Sequence, residues 1–405
     1  MPSWLMQSTY PAGLAIGPSI TRYQSPMGIV YPDSNLEAPR IFTARNSYTL
    51  SNLYIQVSQN SLTGSSTISS RKDSAAGAQS VSVGAGATGA FTDATNSDSL
   101  VDTSTFDNGV VTGAGTGKTI TILIISYILS TTALNVPIEG GYGGPSVGFG
   151  VTRYFAMAGY WEVPATTESD VAFVFRTTAT ITHFTVIVGA NTCNGASTSR
   201  TRKNAGNGNQ SVSIAATTTG TFTDAANSDS VVSGDSFNHQ FVIGGSSGAI
   251  VPNSIYSELD SLAKPLISSY EPGIGQNAAL TRYSALEGFP QQVAAETYMS
   301  VTARASYFLR NGFVRVLTNT VNGTSTETLR KNAAASSLAI SITASTTGTF
   351  EDTVNVVSVI STDTINWQLV TGGATGAMTM SIVSCELVQY ILPTRVSYYP
   401  HILAH

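Results

Sequence analysis

Three copies of one pattern run through this chain, and no other property limits its folding as strongly. Thr21-Arg22-Tyr23 returns as Thr152-Arg153-Tyr154 and Thr281-Arg282-Tyr283, the arginines standing 131 and 129 residues apart. A glycine follows each, at Gly28, Gly159 and Gly288, and then a glutamate, at Glu37, Glu168 and Glu296. Arg71-Lys72-Asp73, Arg202-Lys203-Asn204 and Arg330-Lys331-Asn332 hold the register at 131 and 128 residues. The Thr-Gly-x-Phe-x-Asp strings ending at Asp93, Asp224 and Asp352 hold it too. A unit of about 130 residues is long enough to bury its own core, so the chain builds one architecture three times.

Inside a repeat, apolar residues alternate with polar ones, as in Leu53, Ile55 and Val57, or Phe184, Val186 and Val188, or Val314 and Val316. That is the period of a half-buried strand, and each run stops at Gly, Asn, Ser or Asp. Short strands between regular turns predict an all-β fold: three tandem antiparallel β-sandwiches of jelly-roll type. The boundaries read as an N-terminal arm at 1–16, repeat 1 at 17–130, a Gly/Pro-rich connector at 131–146, repeat 2 at 147–259, a connector at 260–276, repeat 3 at 277–392 and a tail at 393–405. Each repeat is expected to close with a strand that follows a glycine hairpin. In repeat 2 that strand carries Pro252, which predicts a bulge, a shortening or an edge position. Ile255, Leu259 and Leu262 suggest a helix over 254–264.

Composition removes several classes of function. Charged residues make up 11% of the chain, the formal net charge is −5, and no basic cluster offers a footprint for nucleic acid. The longest apolar run, Ile120 to Leu129, is about half of the roughly 20 residues that cross a bilayer, so no membrane span is expected. Residues 1–20 lack a basic n-region and make a poor secretory signal. Cys193 and Cys385 have no counterparts in the other repeats and predict free thiols.

Motif by motif, the chemistry favours structure. Gly113 to Thr119 resembles a phosphate loop, but Thr112 stands where its first glycine is needed, and Ala249 and Ala377 replace Lys118 in the other copies. Asp93, Asn96 and Asp98, with Asp224, Asn227 and Asp229, have the spacing of oxygen ligands and are candidates for calcium. Asn355 survives in repeat 3 but Val357 takes the place of the second aspartate, and Asp and Asn are also the commonest turn formers. Arg22, Arg153 and Arg282 could pair with Glu37, Glu168 and Glu296. The four histidines, His183, His239, His401 and His405, show no repeated ligand spacing, and no nucleophile elbow is present. The expectation is a protein without enzymatic activity, catalytic residues, cofactor or metal.

The order of elements resembles the tumour-necrosis-factor-like jelly-roll modules of tailed-bacteriophage structural proteins. The resemblance is carried by Arg153-Tyr154 with Gly159 and Glu168, the strand Asn52-Leu53-Tyr54-Ile55, Leu329-Arg330-Lys331-Asn332, and Gly220-Thr221-Phe222. It is also carried by Ser233-Gly234-Asp235, here aligned with Val101-Asp102 and Thr362-Asp363. It implies a virion protein assembled in the host cytoplasm, most simply a capsid decoration or cement protein or a head or tail accessory, with the major capsid protein as partner. Because such modules trimerise, it also implies an intramolecular pseudo-trimer, an extended string of modules being the alternative, and self-association is a further expectation. A receptor- or carbohydrate-binding tail fibre, or a bacterial adhesin, with a host-surface glycan or receptor as ligand, is the competing class; it would favour aromatic residues at loop tips.

Overall fold

The computed structural model describes residues 2–27, 35–37, 41–142, 146–290 and 292–389. Gly28 and the 393–405 tail, with His401 and His405, lie outside them. Over the described residues the fold is all-β, with two short 3-10 turns, Glu168–Asp170 and Glu296–Tyr298, as its only helical elements.

Repeat 1 comprises β1 (Ser3–Ile16), β2 (Thr21–Gln24), β3 (Phe42–Thr43), β4 (Tyr48–Asn60), β5 (Ser66–Lys72), β6 (Ala75–Val83), β7 (Gly89–Leu100), β8 (Thr105–Val111) and β9 (Ile120–Thr131). Repeat 2 comprises β10 (Asn135–Tyr142), β11 (Val147–Gly148), β12 (Thr152–Phe155), β13 (Gly159–Trp161), β14 (Phe173–Val174), β15 (Ala179–Asn191), β16 (Ser197–Lys203), β17 (Gly206–Ile214), β18 (Gly220–Val231), β19 (Ser236–Val242) and β20 (Ala249–Asp260). Repeat 3 comprises β21 (Ala263–Asn277), β22 (Thr281–Ser284), β23 (Val301–Thr302), β24 (Tyr307–Asn319), β25 (Ser325–Lys331), β26 (Ala334–Ile342), β27 (Gly348–Val359), β28 (Thr364–Val370) and β29 (Ala377–Gln389).

In repeat 1 these strands form two antiparallel sheets, β1-β9-β4-β7 and β2-β8-β5-β6, with β3 on β8. The same orders recur as β10-β20-β15-β18 and β12-β19-β16-β17, and as β21-β29-β24-β27 and β22-β28-β25-β26. Alternation sets the faces: β6 reads exposed and buried in turn, with Gln79, Val81 and Val83 inward. The central strands β4, β15 and β24 each bulge at one residue in the left-handed region, Asn52 (φ 57°), His183 (54°) and Asn311 (53°). Asparagine and histidine tolerate that region better than other side chains.

Several expectations fail, each for a visible reason. The arm at 1–16 and both connectors are strands: β1 pairs with β9, β10 with β20, and β21 with β29. The helix expected over 254–264 is instead the end of β20, a turn at Ser261-Leu262 and the start of β21; burial of both faces over 254–259 replaced alternation with a continuous run, and Leu262, in the turn, is 49% exposed. Pro252 does sit at a bulge, opposite Val188, but repeats 1 and 3 break register at the matching pairs Val57↔Ile122 and Val316↔Met380. Proline exploits an irregularity that the fold already has. The glycine loops are not hairpins; each carries the chain from one sheet to the other. Their first glycines are needed because a Cβ at Gly113, Gly244 or Gly372 would lie 2.2, 1.8 or 2.0 Å from the carbonyl oxygen of Gly64, Ala196 or Thr324. Finally, Ser104, not Asp102, matches Asp235. Val101 N–H donates to Ser104 Oγ (3.2 Å), as Val232 N–H does to Asp235 Oδ2 (2.9 Å) and Ile360 N–H to Asp363 Oδ2 (2.8 Å).

Contacts between repeats run in a cycle. Arg45 Nη2 donates to Thr223 Oγ1 (3.3 Å), and Arg176, at the same register position, pairs with Glu351, which matches Thr223. Arg304, the third member, lies beside Tyr54 of repeat 1, whose hydroxyl donates to the Ser300 carbonyl at 3.2 Å. Short segments also insert between neighbouring repeats. β13 runs parallel between β10 and β21, joining the larger sheets of repeats 2 and 3 into one of ten strands. In repeat 3, Gly288 bonds the backbone of Ile267 and Ser269, while Phe289 N–H donates to Thr9 Oγ1 of repeat 1 (2.6 Å). The repeated glycine is required there, because a Cβ at Gly159 would sit 2.7 Å from Ser269 N and one at Gly288 would sit 2.9 Å from Thr9 N. One apolar cluster consequently holds buried residues of all three repeats, such as Trp4, Phe173 and Leu266, beside a second confined to repeat 2.

Candidate functional site

The residues that mark each repeat meet in space. Arg71 Nε lies 2.7 Å from Glu37 Oε1, Arg202 Nη2 2.9 Å from Glu168 Oε2, and Arg330 Nε 2.9 Å from Glu296 Oε1. Tyr23 and Tyr283 lie under the Arg71 and Arg330 guanidinium groups at 5.1 and 6.0 Å. The glutamates thus pair with the Arg-Lys motif and not with Arg22, Arg153 and Arg282, whose Nη1 groups donate to the carbonyls of Thr21, Thr152 and Thr281. The glutamate and arginine pin the loop before the central strands onto the smaller sheet, which is a structural task. In repeat 1 Asp107 joins the pair, and burial followed by repulsion from Glu37 pushes its carboxyl up to about 8. Asn238 and Asn366 stand at that position in the other repeats.

The calcium candidates divide into two separate hydrogen-bond systems. Asp93 accepts from Ser80 N (2.9 Å), Thr95 N (3.1 Å), Asn96 N (3.1 Å) and Asn96 Nδ2 (2.9 Å). Asp224 does the same with Ser211, Ala226 and Asn227. Burial would raise both carboxyls, yet the donated bonds outweigh it and hold them below the usual range. Asn96 and Asn227 turn their amide nitrogens toward the carboxylates, the opposite of what a cation needs, so these are turns. Asp98 instead accepts from Ser70 Oγ (2.6 Å), Ala78 N (2.7 Å) and Gln79 Nε2 (3.2 Å) inside the sandwich, and Asp229 from Thr201 Oγ1 (2.6 Å), Asn209 N (2.6 Å) and Gln210 Nε2 (3.1 Å). Repeat 3 exchanges the whole trio for Leu329, Leu338 and Val357, all buried. Among the described residues no group of three or more His, Cys, Asp or Glu could hold a metal ion.

Other candidates are inward-facing as well. Cys193 and Cys385 are free and buried, and burial pushes both thiols up. His239 is fully buried between Phe184 and Phe237, and burial pushes it down to about 3, so its ring is neutral. Trp4, Trp161 and Trp367, the chain's only tryptophans, are at most 1% exposed, which leaves none as a platform for a ligand. Tyr142 ends β10, and its side chain lies outside the described residues. No helix among the described residues is long and apolar enough to cross a membrane.

Polar residues missed by motif reasoning cluster where repeats meet. Glu258 of repeat 2 accepts from Tyr48 OH (2.7 Å), Arg45 N (3.1 Å) and Asn46 Nδ2 (2.6 Å) of repeat 1; burial pushes its carboxyl up against those bonds. Glu386 of repeat 3 accepts from Thr177 Oγ1 of repeat 2 (2.8 Å) and from its own Asn311 (2.6 Å). Buried Ile128 occupies their register position in repeat 1. Between β1 and β21, Lys264 Nζ lies 2.7 Å from Glu287 Oε1 and donates to the Leu5 carbonyl (2.6 Å). Deep in repeat 3, Glu327 is fully buried, and neither carboxyl oxygen has a hydrogen-bond partner. The only sequence signal for these was a charge amid an apolar strand. No protein-family model and no curated protein matches this sequence.

Proposed function

We propose that the chain is three tumour-necrosis-factor-like jelly-roll modules closed on one another as an intramolecular pseudo-trimer, serving without enzymatic activity as a structural protein of a tailed-phage virion. Its role in this reading is that of a capsid decoration or cement protein: it binds an assembled lattice of the major capsid protein and stabilises it by mass action through buried surface. The observation that carries the reading is the cycle of contacts between repeats, with a core shared among them, joined to candidate chemical residues that are consumed in turns, ion pairs and cores. Such a body offers a partner shape and surface more than reactive groups. Burial of all three tryptophans weighs against the receptor-binding alternative.

The test is cosedimentation of the purified chain with phage heads lacking it, beside intact host cells. Saturable binding to heads, visible as regular density by cryo-electron microscopy, is the expected result. Binding to cells alone would sink the proposal.

A further inference from the structure

Among the described residues the only histidines, His183 and His239, lie in repeat 2. Asn108 and Trp367 hold the register position of His239 in the other repeats, and neither takes up a proton. His239 sits on β19 with Phe155 and Thr201 as cross-strand neighbours, and its ring packs on Phe184 (centroids 5.2 Å apart) and Phe237 (5.8 Å). Neither ring nitrogen has a hydrogen-bond partner. Burial opposes a charge on the ring and outweighs the Met157 backbone and the Asp229 carboxylate, which favour one. An imidazolium carries two N–H donors, so charging this ring inside the closed sandwich would bury a cation with its donors unsatisfied among aromatic side chains.

The packing also defines what would open. Phe184, with Phe155 and Trp161, belongs to the apolar cluster confined to repeat 2, whereas Phe237 belongs to the one shared by all three repeats, so His239 stands where the two cores meet. A segment with a core of its own can open while its neighbours stay closed. Trp161 ends β13, the strand inserted between β10 and β21, and Met157 lies two residues before that strand begins. Opening around His239 therefore withdraws the strand that joins the larger sheets of repeats 2 and 3. His183 is the weaker sensor. Burial and Arg45 disfavour its charge and Asp102 favours it, while Glu258, 3.5 Å from its Nδ1 and itself pushed up by burial, gains a proton as the pH falls and works in the opposite direction.

We propose that repeat 2 is an acid-sensitive unit: protonation of His239 in a transiently open form drives repeat 2 and the inserted β13 open while repeats 1 and 3 stay closed. The inference does not rest on the capsid reading. Its sign follows from linkage, because the open form binds the extra proton and opening becomes easier as the pH falls below 6.5. The test is amide hydrogen exchange of the full chain at pH 7 and pH 5, read by mass spectrometry and corrected for intrinsic rates. With the ring titrating at 6.5 when open and at about 3 when closed, the opening equilibrium over β12, β13, β15 and β19 should rise about 25-fold between those pH values. Repeats 1 and 3, whose raised carboxyls Asp107 and Glu327 take up protons in the closed form, should hold or gain protection. His239→Leu, close in size and unable to titrate, should abolish the rise, and His183→Asn, copying Asn52 and Asn311, should keep it. Imidazole NMR of the parent, which needs no variant to fold, should show His239 neutral at pH 5. Unchanged protection of repeat 2, a rise that survives His239→Leu or vanishes with His183→Asn, a loss shared equally by all three repeats, or an imidazolium signal from His239 in the folded chain at pH 5 overturns the proposal.

Discussion

Replacing Glu327 by glutamine should make the protein more stable, and increasingly so as the pH rises. The side chain sits on β25, fully buried, with Ile340 and Leu369 as its cross-strand neighbours and no hydrogen-bond partner for either oxygen. Burial alone pushes its carboxyl from 4.5 to about 8. The folded chain therefore holds a proton that the unfolded chain releases between those values, and stability falls as pH climbs through that window and levels off above it. At about 1.4 kcal/mol per pH unit, the proton-linked cost is about 1 kcal/mol at pH 5, about 3 kcal/mol at pH 7 and about 4 kcal/mol at pH 8. Glutamine keeps the shape and cannot titrate. Denaturant unfolding of both proteins at pH 5 and pH 8 should show the stability difference, glutamine variant minus parent, growing by about 3 kcal/mol in favour of the variant. Using the difference cancels other raised carboxyls, including Asp107. A difference that is the same at both pH values would refute the reasoning, because it would mean that Glu327 has water or a partner in the folded state. Position 327 does not need a charge: the register equivalent in repeat 1 is Ile68, fully buried.

Three further outcomes follow from the geometry. Asp98→Val alone strands Ser70, Gln79 and the Ala78 N–H inside repeat 1 and should cost about 2–4 kcal/mol, whereas the triple change Ser70→Leu, Gln79→Leu, Asp98→Val, copying repeat 3, should recover most of it in the same unfolding assay. Glu258→Ala leaves Tyr48 OH, Asn46 and the Arg45 N–H without their acceptor; a loss of about 2–4 kcal/mol is expected, with faster amide exchange at residues 44–48 and little change at the repeat 2–3 contact. Calcium or a chelator at millimolar concentration should leave the melting temperature unmoved, since Asp93 and Asp224 already hold their full complement of donors; a calcium-dependent rise lost on Asp93→Asn would contradict the turn assignment.

Much of this was legible in the order of residues. Repeats in strict register predicted equivalent strands, and they are equivalent. Alternation located β4, β15 and β24 because each has one face against its own core. It failed for β1, which precedes the first repeated marker and read as an arm, and for β10 and β21, whose Gly and Pro content read as connectors. These strands are covered on both sides by neighbouring repeats, so nothing in them alternates, and Pro137 and Pro265 hide their extended character. Val357 in repeat 3 looked like the loss of a ligand. Only the positions of Leu329 and Leu338 reveal it as one part of a concerted change from a polar trio to an apolar one.

The cycle also closes covalently distant ends. Ser3 N–H donates to Gln389 Oε1 (2.9 Å), so the first strand and the last described residue lie side by side. Three separate chains meeting this way would assemble only above some concentration, and every substitution would appear at all three junctions at once. Fusion removes both constraints. Assembly becomes a first-order event that dilution cannot reverse, and each junction drifts by itself. Glu258, Glu386 and Ile128 record that freedom.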